Sequence, residues 1–205
     1  AIERVIAGPE RKSRLISDEE KKIIAHHEAG HALVQKMLPL CDPVQKVSIV
    51  ARGIDLGYVI SLPEDDHYLH RKARFESNLA AILGGRAAEE LIFQDVTTKA
   101  EDDLERATNL ARQMVTRYGM SEKLGPMTFG DKHELVFLGR EISEQRNYSN
   151  EIARQIDEEV RRLIESAHSR AMEILVAHKD KLVEIAGRLI EKETIDRAEL
   201  EAVLA

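Results

Sequence analysis

His27-Glu28-Ala29-Gly30-His31 is the stretch that decides the reading of this chain. It is an H-E-x-x-H pattern inside a segment, residues 17–38, that carries the marks of a helix. Ser17 or Asp18 can cap the start, Glu19 and Glu20 stand in the first turn, and Pro39 closes the far end. On a helix the two histidines lie one turn apart and face the same way. Two imidazoles so placed can hold one Zn²⁺ at about 2.0–2.1 Å each. Glu28 falls about 100° round the helix, beside the metal rather than on it, where it can take a proton from an activated water. The small Ala29 and Gly30 let a neighbouring segment or a substrate approach. The plainer alternative is a solvated helix that happens to carry two histidines, so the metal reading requires a third ligand.

The run Ala32-Leu33-Val34-Gln35-Lys36-Met37 supplies none. His67 and His70 come next, at a spacing that suits either a metal or a solvated helix start. Two carboxylate segments are better candidates. One is Gly84-Gly85-Arg86-Ala87-Ala88-Glu89-Glu90, near the end of an apolar helix that begins around Arg71. The other is Thr97-Thr98-Lys99-Ala100-Glu101-Asp102-Asp103-Leu104, where a threonine can cap a helix and acids suit its first turn. Spacing alone does not choose among Glu89, Glu90, Asp102 and Asp103.

The rest of the chain predicts a mostly α fold with a small β-hairpin or sheet beside the H-E-x-x-H helix. Val47-Ser48-Ile49-Val50 and Gly57-Tyr58-Val59-Ile60-Ser61-Leu62 are β-rich. An edge strand there is suited to pair with an extended substrate backbone. Residues 71–94 and 98–118 read as helices, with Leu79, Ile82, Leu83, Leu91 and Ile92 as the buried stripe of one. Leu104, Ala107, Leu110, Ala111, Met114 and Val115 form that of the other. Segment 119–148 holds Gly119, Gly125-Pro126, Gly130 and Gly139 and reads as loop. Two long helices follow, the second over about 179–192, and Thr194-Ile195-Asp196 opens a short last helix ending at Leu204.

Composition narrows the function. The chain has 205 residues, enough for a sizeable core. Its 37 acidic against 30 basic residues, net −7, argue against nucleic acid as a partner. Every apolar run is broken by charges, so no membrane-spanning helix is expected, and the fragment itself reads as soluble. Cys41 is the single cysteine; it makes no internal disulfide and reads as a packing or surface residue. No Gly-x-x-x-x-Gly-Lys-Ser/Thr phosphate loop is present, so the chain has no ATPase site of its own.

Several motifs in order resemble one family. His26-His27-Glu28-Ala29-Gly30-His31-Ala32-Leu33-Val34 and Leu83-Gly84-Gly85-Arg86-Ala87-Ala88-Glu89-Glu90 are similar to the proteolytic core of the FtsH family, the membrane-anchored AAA+ zinc metalloproteases. So are Thr97-Thr98 through Asp103-Leu104, Tyr118-Gly119-Met120-Ser121, Phe137-Leu138-Gly139-Arg140, and Arg146-Asn147-Tyr148-Ser149 leading into Ile156-Asp157-Glu158-Glu159-Val160. The resemblance implies a zinc metalloendopeptidase with one Zn²⁺ per chain. His27, His31 and Asp103 are its metal ligands and Glu28 its general base toward a zinc-activated water. Glu89 and Glu90 are then candidates to orient a ligating imidazole. The chain departs from the family pattern twice, with Lys99 where Gly is common and Asp102 where Asn is common. Lys99 removes glycine's access to left-handed backbone, and Asp102 sets a second acid beside Asp103.

The resemblance also implies an organisation. Residues 1–16 are a linker from the AAA+ module, and 17–205 are the zinc metallopeptidase domain. Within that domain, 17–118 form the zinc-site part, 119–148 the loop region and 149–205 the C-terminal helices. Unfolded or membrane proteins are the implied substrates, degraded processively in a homo-hexamer. ATP acts only through the AAA+ module of the same polypeptide. The full-length protein is expected to be anchored in the inner (plasma) membrane, with this domain on the cytoplasmic side.

Overall fold

Ser17 starts the first helix by a reciprocal cap. Its Oγ accepts from the Glu20 amide at 3.2 Å while its own amide donates to Glu20 Oε2 at 3.0 Å. The acids Asp18, Glu19 and Glu20 then occupy the positive end of the helix dipole. This helix, α1 (Asp18–Met37), is followed by strands β1 (Val44–Arg52) and β2 (Asp55–Ser61), then α2 (Lys72–Phe93). A 3₁₀ turn (Thr98–Ala100) leads into α3 (Glu101–Thr116), and α4 (Asn150–Ala177), α5 (Lys179–Lys192), β3 (Thr194–Asp196) and α6 (Arg197–Leu204) complete the chain. The computed structural model describes residues 16–52, 55–63, 69–130 and 147–204. The expected linker before Ile16, His67, and the part of the expected loop region over 131–146 lie outside the described residues. Residues 119–130 are described and contain neither helix nor strand.

The architecture is mostly helical with one small antiparallel sheet, ordered β2-β1-β3. β1 and β2 form the expected hairpin, with Val47 opposite Val59 and Ser48 opposite Tyr58. The expectation that Thr194-Ile195-Asp196 opens the last helix is corrected. These residues pair with β1, Ser48 opposite Thr194 and Val47 opposite Ile195, and the helix begins only at Arg197. Its cap is Asp196, whose Oδ1 accepts from the Glu199 amide at 2.9 Å. The strand forms because Ile195 is fully buried against the core while Thr194 Oγ1 meets Ser48 Oγ at 2.8 Å.

One apolar core runs from Ile24 to Val203. The amphipathic faces of α4 and α5 bury Ile156, Leu163, Leu175, Leu182, Ile185 and Leu189. α2 differs from the expected leucine stripe. Leu79 and Leu83 are buried, but Ile82, Leu91 and Ile92 are only half-buried. Most of the remaining buried surface is small: Ala80, Ala81, Gly84, Gly85, Ala87 and Ala88. Small residues let α1 and α2 cross closely. A Cβ on Gly84 would sit 2.8 Å from the Gly30 carbonyl oxygen. That close crossing brings α2 up to the histidines of α1. Cys41 is half-buried, and burial pushes its thiol up to about 11, so it stays protonated at neutral pH. Among the described residues no helix is long and apolar enough to cross a membrane.

Candidate metal centre

His27 and His31 lie one turn apart on α1 with their rings edge-on, centroids 4.7 Å apart. Their Nε2 atoms are 3.0 Å from each other, and each is 3.1 Å from Asp103 Oδ2. These three are the group of potential metal-ligating side chains found among the described residues.

The other ring nitrogens fix the tautomers. His27 Nδ1 faces Glu89 Oε1 at 2.6 Å, and an ionised carboxylate only accepts, so Nδ1 donates. His31 Nδ1 donates to the Ala81 carbonyl at 2.8 Å. Both Nε2 atoms of the neutral rings therefore present lone pairs to a carboxylate oxygen. Three acceptors so close repel one another unless positive charge lies between them. A tetrahedral zinc site with bonds of about 2.0–2.1 Å sets its ligand atoms roughly 3.3 Å apart, near the spacing found here. The electrostatics of the site make the same demand for positive charge. Burial opposes ionisation of Asp103, but positive charge on the facing His27 and His31 outweighs it and holds its carboxyl well below the usual carboxylate range. Burial likewise opposes a charge on His27, and Asp103 and Glu89 override it, raising its pKa.

α2 serves this centre with three residues spaced one turn apart, Ala81, Gly85 and Glu89. Ala81 supplies the carbonyl that orients His31, and Glu89 the carboxylate that orients His27. Gly85 leaves the space in front of both rings open: a Cβ there would lie 2.5 Å from Nε2 of each histidine. Glu89 is 1% exposed and its second oxygen accepts from the Thr97 amide at 2.7 Å. Burial raises its pKa, but the bond from His27 prevails and the net shift is downward. Glu90, the other candidate from that segment, points elsewhere, toward Arg86 and His168 at 3.0 Å each.

The acids at the start of α3 separate by register. Asp103 is 9% exposed and shares the buried face of Ala107 and Ala111, each one turn further on. Asp102 is exposed and lies on the wall of the adjoining cleft. The i, i+4, i+8 relation of 103, 107 and 111 is a sequence signal that distinguishes them. Lys99 sits in the 3₁₀ turn. Left-handed backbone outside glycine is confined to Gln94 and Glu193 among the described residues, so a lysine fits at this position without strain.

A cleft of about 870 Å³ opens over the centre, lined by His31, Glu28, Gly57, Tyr58, Asn78 and Lys99 among others. Glu28 is 2% exposed. Its carboxylate lies beneath β2 at Gly57, whose φ of 111° is in the glycine-favoured region and whose Cβ, if present, would meet Glu28 Oε1 at 2.8 Å. β2 is one of the two edge strands of the described sheet, and Gln35 of α1 anchors its end through Ser61 Oγ at 2.6 Å. The sequence offered no local signal for the roles of Gly57, Gln35 or Lys99, because each meets the site through long-range packing.

Comparison with known proteins matches the sequence pattern of peptidase family M41 to residues 14–203. The chain is 63% identical over 203 residues to ATP-dependent zinc metalloprotease FtsH 1 of Sphaerobacter thermophilus, covering 99% of this chain and 31% of that protein. It is 53% identical over 203 residues to ATP-dependent zinc metalloprotease FtsH 1 of Thermoanaerobacter sp., covering 99% and 33%. It is 50% identical over 205 residues to ATP-dependent zinc metalloprotease FtsH of Mycobacterium bovis, covering 100% and 27%. The chain thus spans about a third of the length of these curated relatives. An H-E-x-x-H helix, a buried aspartate from a second helix and a match along nearly the whole sequence lead to one conclusion: the chain belongs to peptidase family M41, and with it to the zinc metallopeptidases, hydrolases of peptide bonds.

Proposed function

We propose that this domain hydrolyses internal peptide bonds of unfolded polypeptides, with His27, His31 and Asp103 holding zinc and Glu28 as general base. The observation that carries the reading is the meeting of two imidazole Nε2 atoms and one carboxylate oxygen within 3.1 Å, beside the buried Glu28 at the floor of an open cleft. Bound zinc supplies Lewis acidity, polarising the scissile carbonyl and lowering the pKa of water toward about 7. The chain supplies the rest. Glu89 and the Ala81 carbonyl hold the two rings in the ligating tautomer. Among the described residues β2 lies at an edge of the sheet, where an extended substrate backbone can be laid alongside it, giving broad sequence tolerance. Glu28 takes the proton of the attacking water as the new C–O bond forms, then delivers it to the leaving nitrogen as the C–N bond breaks.

The names of the relatives and their greater length support a further step. We place this domain in a polypeptide that carries an AAA+ module, which unfolds membrane or soluble substrates with ATP and feeds them to a ring of six protease domains on the cytoplasmic side of the inner membrane.

The test pairs zinc content with hydrolysis of an unfolded protein such as casein. Glu28→Gln should keep about one zinc per chain and lose cleavage. Asp103→Ala should lose zinc and activity together, whereas Asp102→Ala keeps most of both. Near-wild-type hydrolysis by Glu28→Gln, or zinc retained by Asp103→Ala but lost by Asp102→Ala, would refute these assignments.

A further inference from the structure

Glu28 carries a contact that the reaction as described does not use. Lys99 reaches from the turn before α3 to place Nζ 3.0 Å from Glu28 Oε1. The two sides of this ion pair are unequal. The glutamate side chain is 3% exposed and the lysine side chain 21%. Oε1 is fully buried and, among the described residues, accepts no aligned hydrogen bond. Gly57 also closes on this oxygen, so that even a methyl group there would overlap it. The oxygen therefore lies against both the backbone of an edge strand and an ammonium on the cleft wall.

Without that ammonium, Oε1 would lose the cation that pairs with it among the described residues, and burying a carboxylate oxygen unpaired is costly. It would relieve that cost by turning toward solvent in the cleft or toward the metal centre. A general base is useful only while it stays within hydrogen-bond reach of the water it deprotonates. We propose that Lys99 is a positioning residue for hydrolysis: with Gly57 and the ammonium both held against Oε1, Glu28 is locked in one rotamer and presents Oε2 as the oxygen that takes and returns the proton. This rests on the general-base reading of Glu28 and adds to it a residue on a different element. In this chain the lysine also couples the base to α3, because the same turn leads directly into the helix that carries Asp103.

The experiment compares wild type, Lys99→Met, Lys99→Arg and Glu28→Gln, each loaded with zinc, on a short unstructured fluorogenic peptide. Bound zinc is measured for each, and crystal structures of wild type and Lys99→Met are determined. Lys99→Met should lower kcat about tenfold with KM and zinc content unchanged, and its Glu28 should occupy more than one rotamer. Lys99→Arg, which keeps the charge and the reach, should restore most of kcat. An unchanged or raised kcat in Lys99→Met overturns the proposal. So does a loss confined to KM, a loss that accompanies loss of zinc, or an Lys99→Arg variant no better than Lys99→Met. A wild-type rate unaffected by Glu28→Gln overturns the general-base reading and this proposal together. An inactive Glu28→Gln beside an unimpaired Lys99→Met overturns this proposal alone.

Discussion

Replacing Glu89 with glutamine changes only one heavy atom, yet the surroundings of that carboxylate give the change a definite cost. Oε1 accepts from His27 Nδ1 at 2.6 Å and Oε2 from the Thr97 amide at 2.7 Å, at a site 1% exposed. A carboxylate accepts on both oxygens; an amide accepts on one and donates on the other. Glutamine must therefore face one of these two donors with its NH₂. If it faces His27, the ring has to move its proton to Nε2 and ceases to be a ligand. If it faces Thr97, the tautomer survives, but the Thr97 amide loses its acceptor and the glutamine's buried NH₂ gains none, at about 1–3 kcal/mol. For a domain of this size that lowers Tm by about 2–12 °C. The remaining bond to His27 is then neutral instead of charge-assisted, and outer partners of metal ligands are worth about 10–100-fold in metal affinity. Competition with a chromophoric chelator measures the affinity, and calorimetry of the zinc-free and zinc-bound forms measures Tm. An affinity within about twofold of wild type together with an unchanged Tm would refute the reasoning, since neither orientation of the amide would then have cost anything.

Two other predictions follow from equally local geometry. Gly85→Ala puts a methyl group 2.5 Å from both Nε2 atoms, so it should abolish zinc binding while the helical circular dichroism signal persists; zinc bound at wild-type affinity would contradict the geometry. Glu159 is buried and accepts from Arg162 Nε at 3.0 Å and Ser121 Oγ at 2.7 Å, and the Arg162 bond leads in holding its pKa below the ordinary value. A depressed native pKa contributes stability that is present above the unfolded value of about 4.3 and is lost as pH falls through the native one. Glu159→Gln should therefore cost about 1–3 kcal/mol at pH 7 in denaturant unfolding, with the gap to wild type narrowing below about pH 4; a pH-independent gap would show that the carboxylate charge is not what matters.

What could be read from the sequence was local. The first helix announces itself through Ser17, Glu20 and Pro39, and the spacing of His27 and His31 puts both rings on one face before any tertiary contact is considered. The hairpin shows in its β-branched runs. What stayed ambiguous or hidden depends on distant partners. Glu89 and Glu90 are neighbours in the chain, and only the crossing of α1 and α2 decides that one meets His27 while the other meets Arg86 and His168. Asp102 and Asp103 are equally good helix-start acids; the stripe of Ala107 and Ala111 puts Asp103 on the buried face of α3, but only packing against α1 shows that this face meets the two histidines. Three residues, Thr194–Asp196, are too few to show an alternation, so a strand made by pairing with β1 looked like the start of a helix. The contact of Lys99 with Glu28 joins residues from two elements and leaves no local mark.

That short third strand has a consequence in time. Ser48 and Thr194, whose hydroxyls meet across it, are 146 positions apart. Contacts of such separation form late, because a long loop must close before they reward it. Synthesis proceeds from the N-terminus, so the helix with His27 and His31 and the hairpin above it leave the ribosome long before their last supports. Until Thr194–Asp196 emerge, β1 lacks its strand partner on that side. A nascent copy therefore holds the helix of His27 and His31 and the β1–β2 hairpin before the sheet beside them is complete.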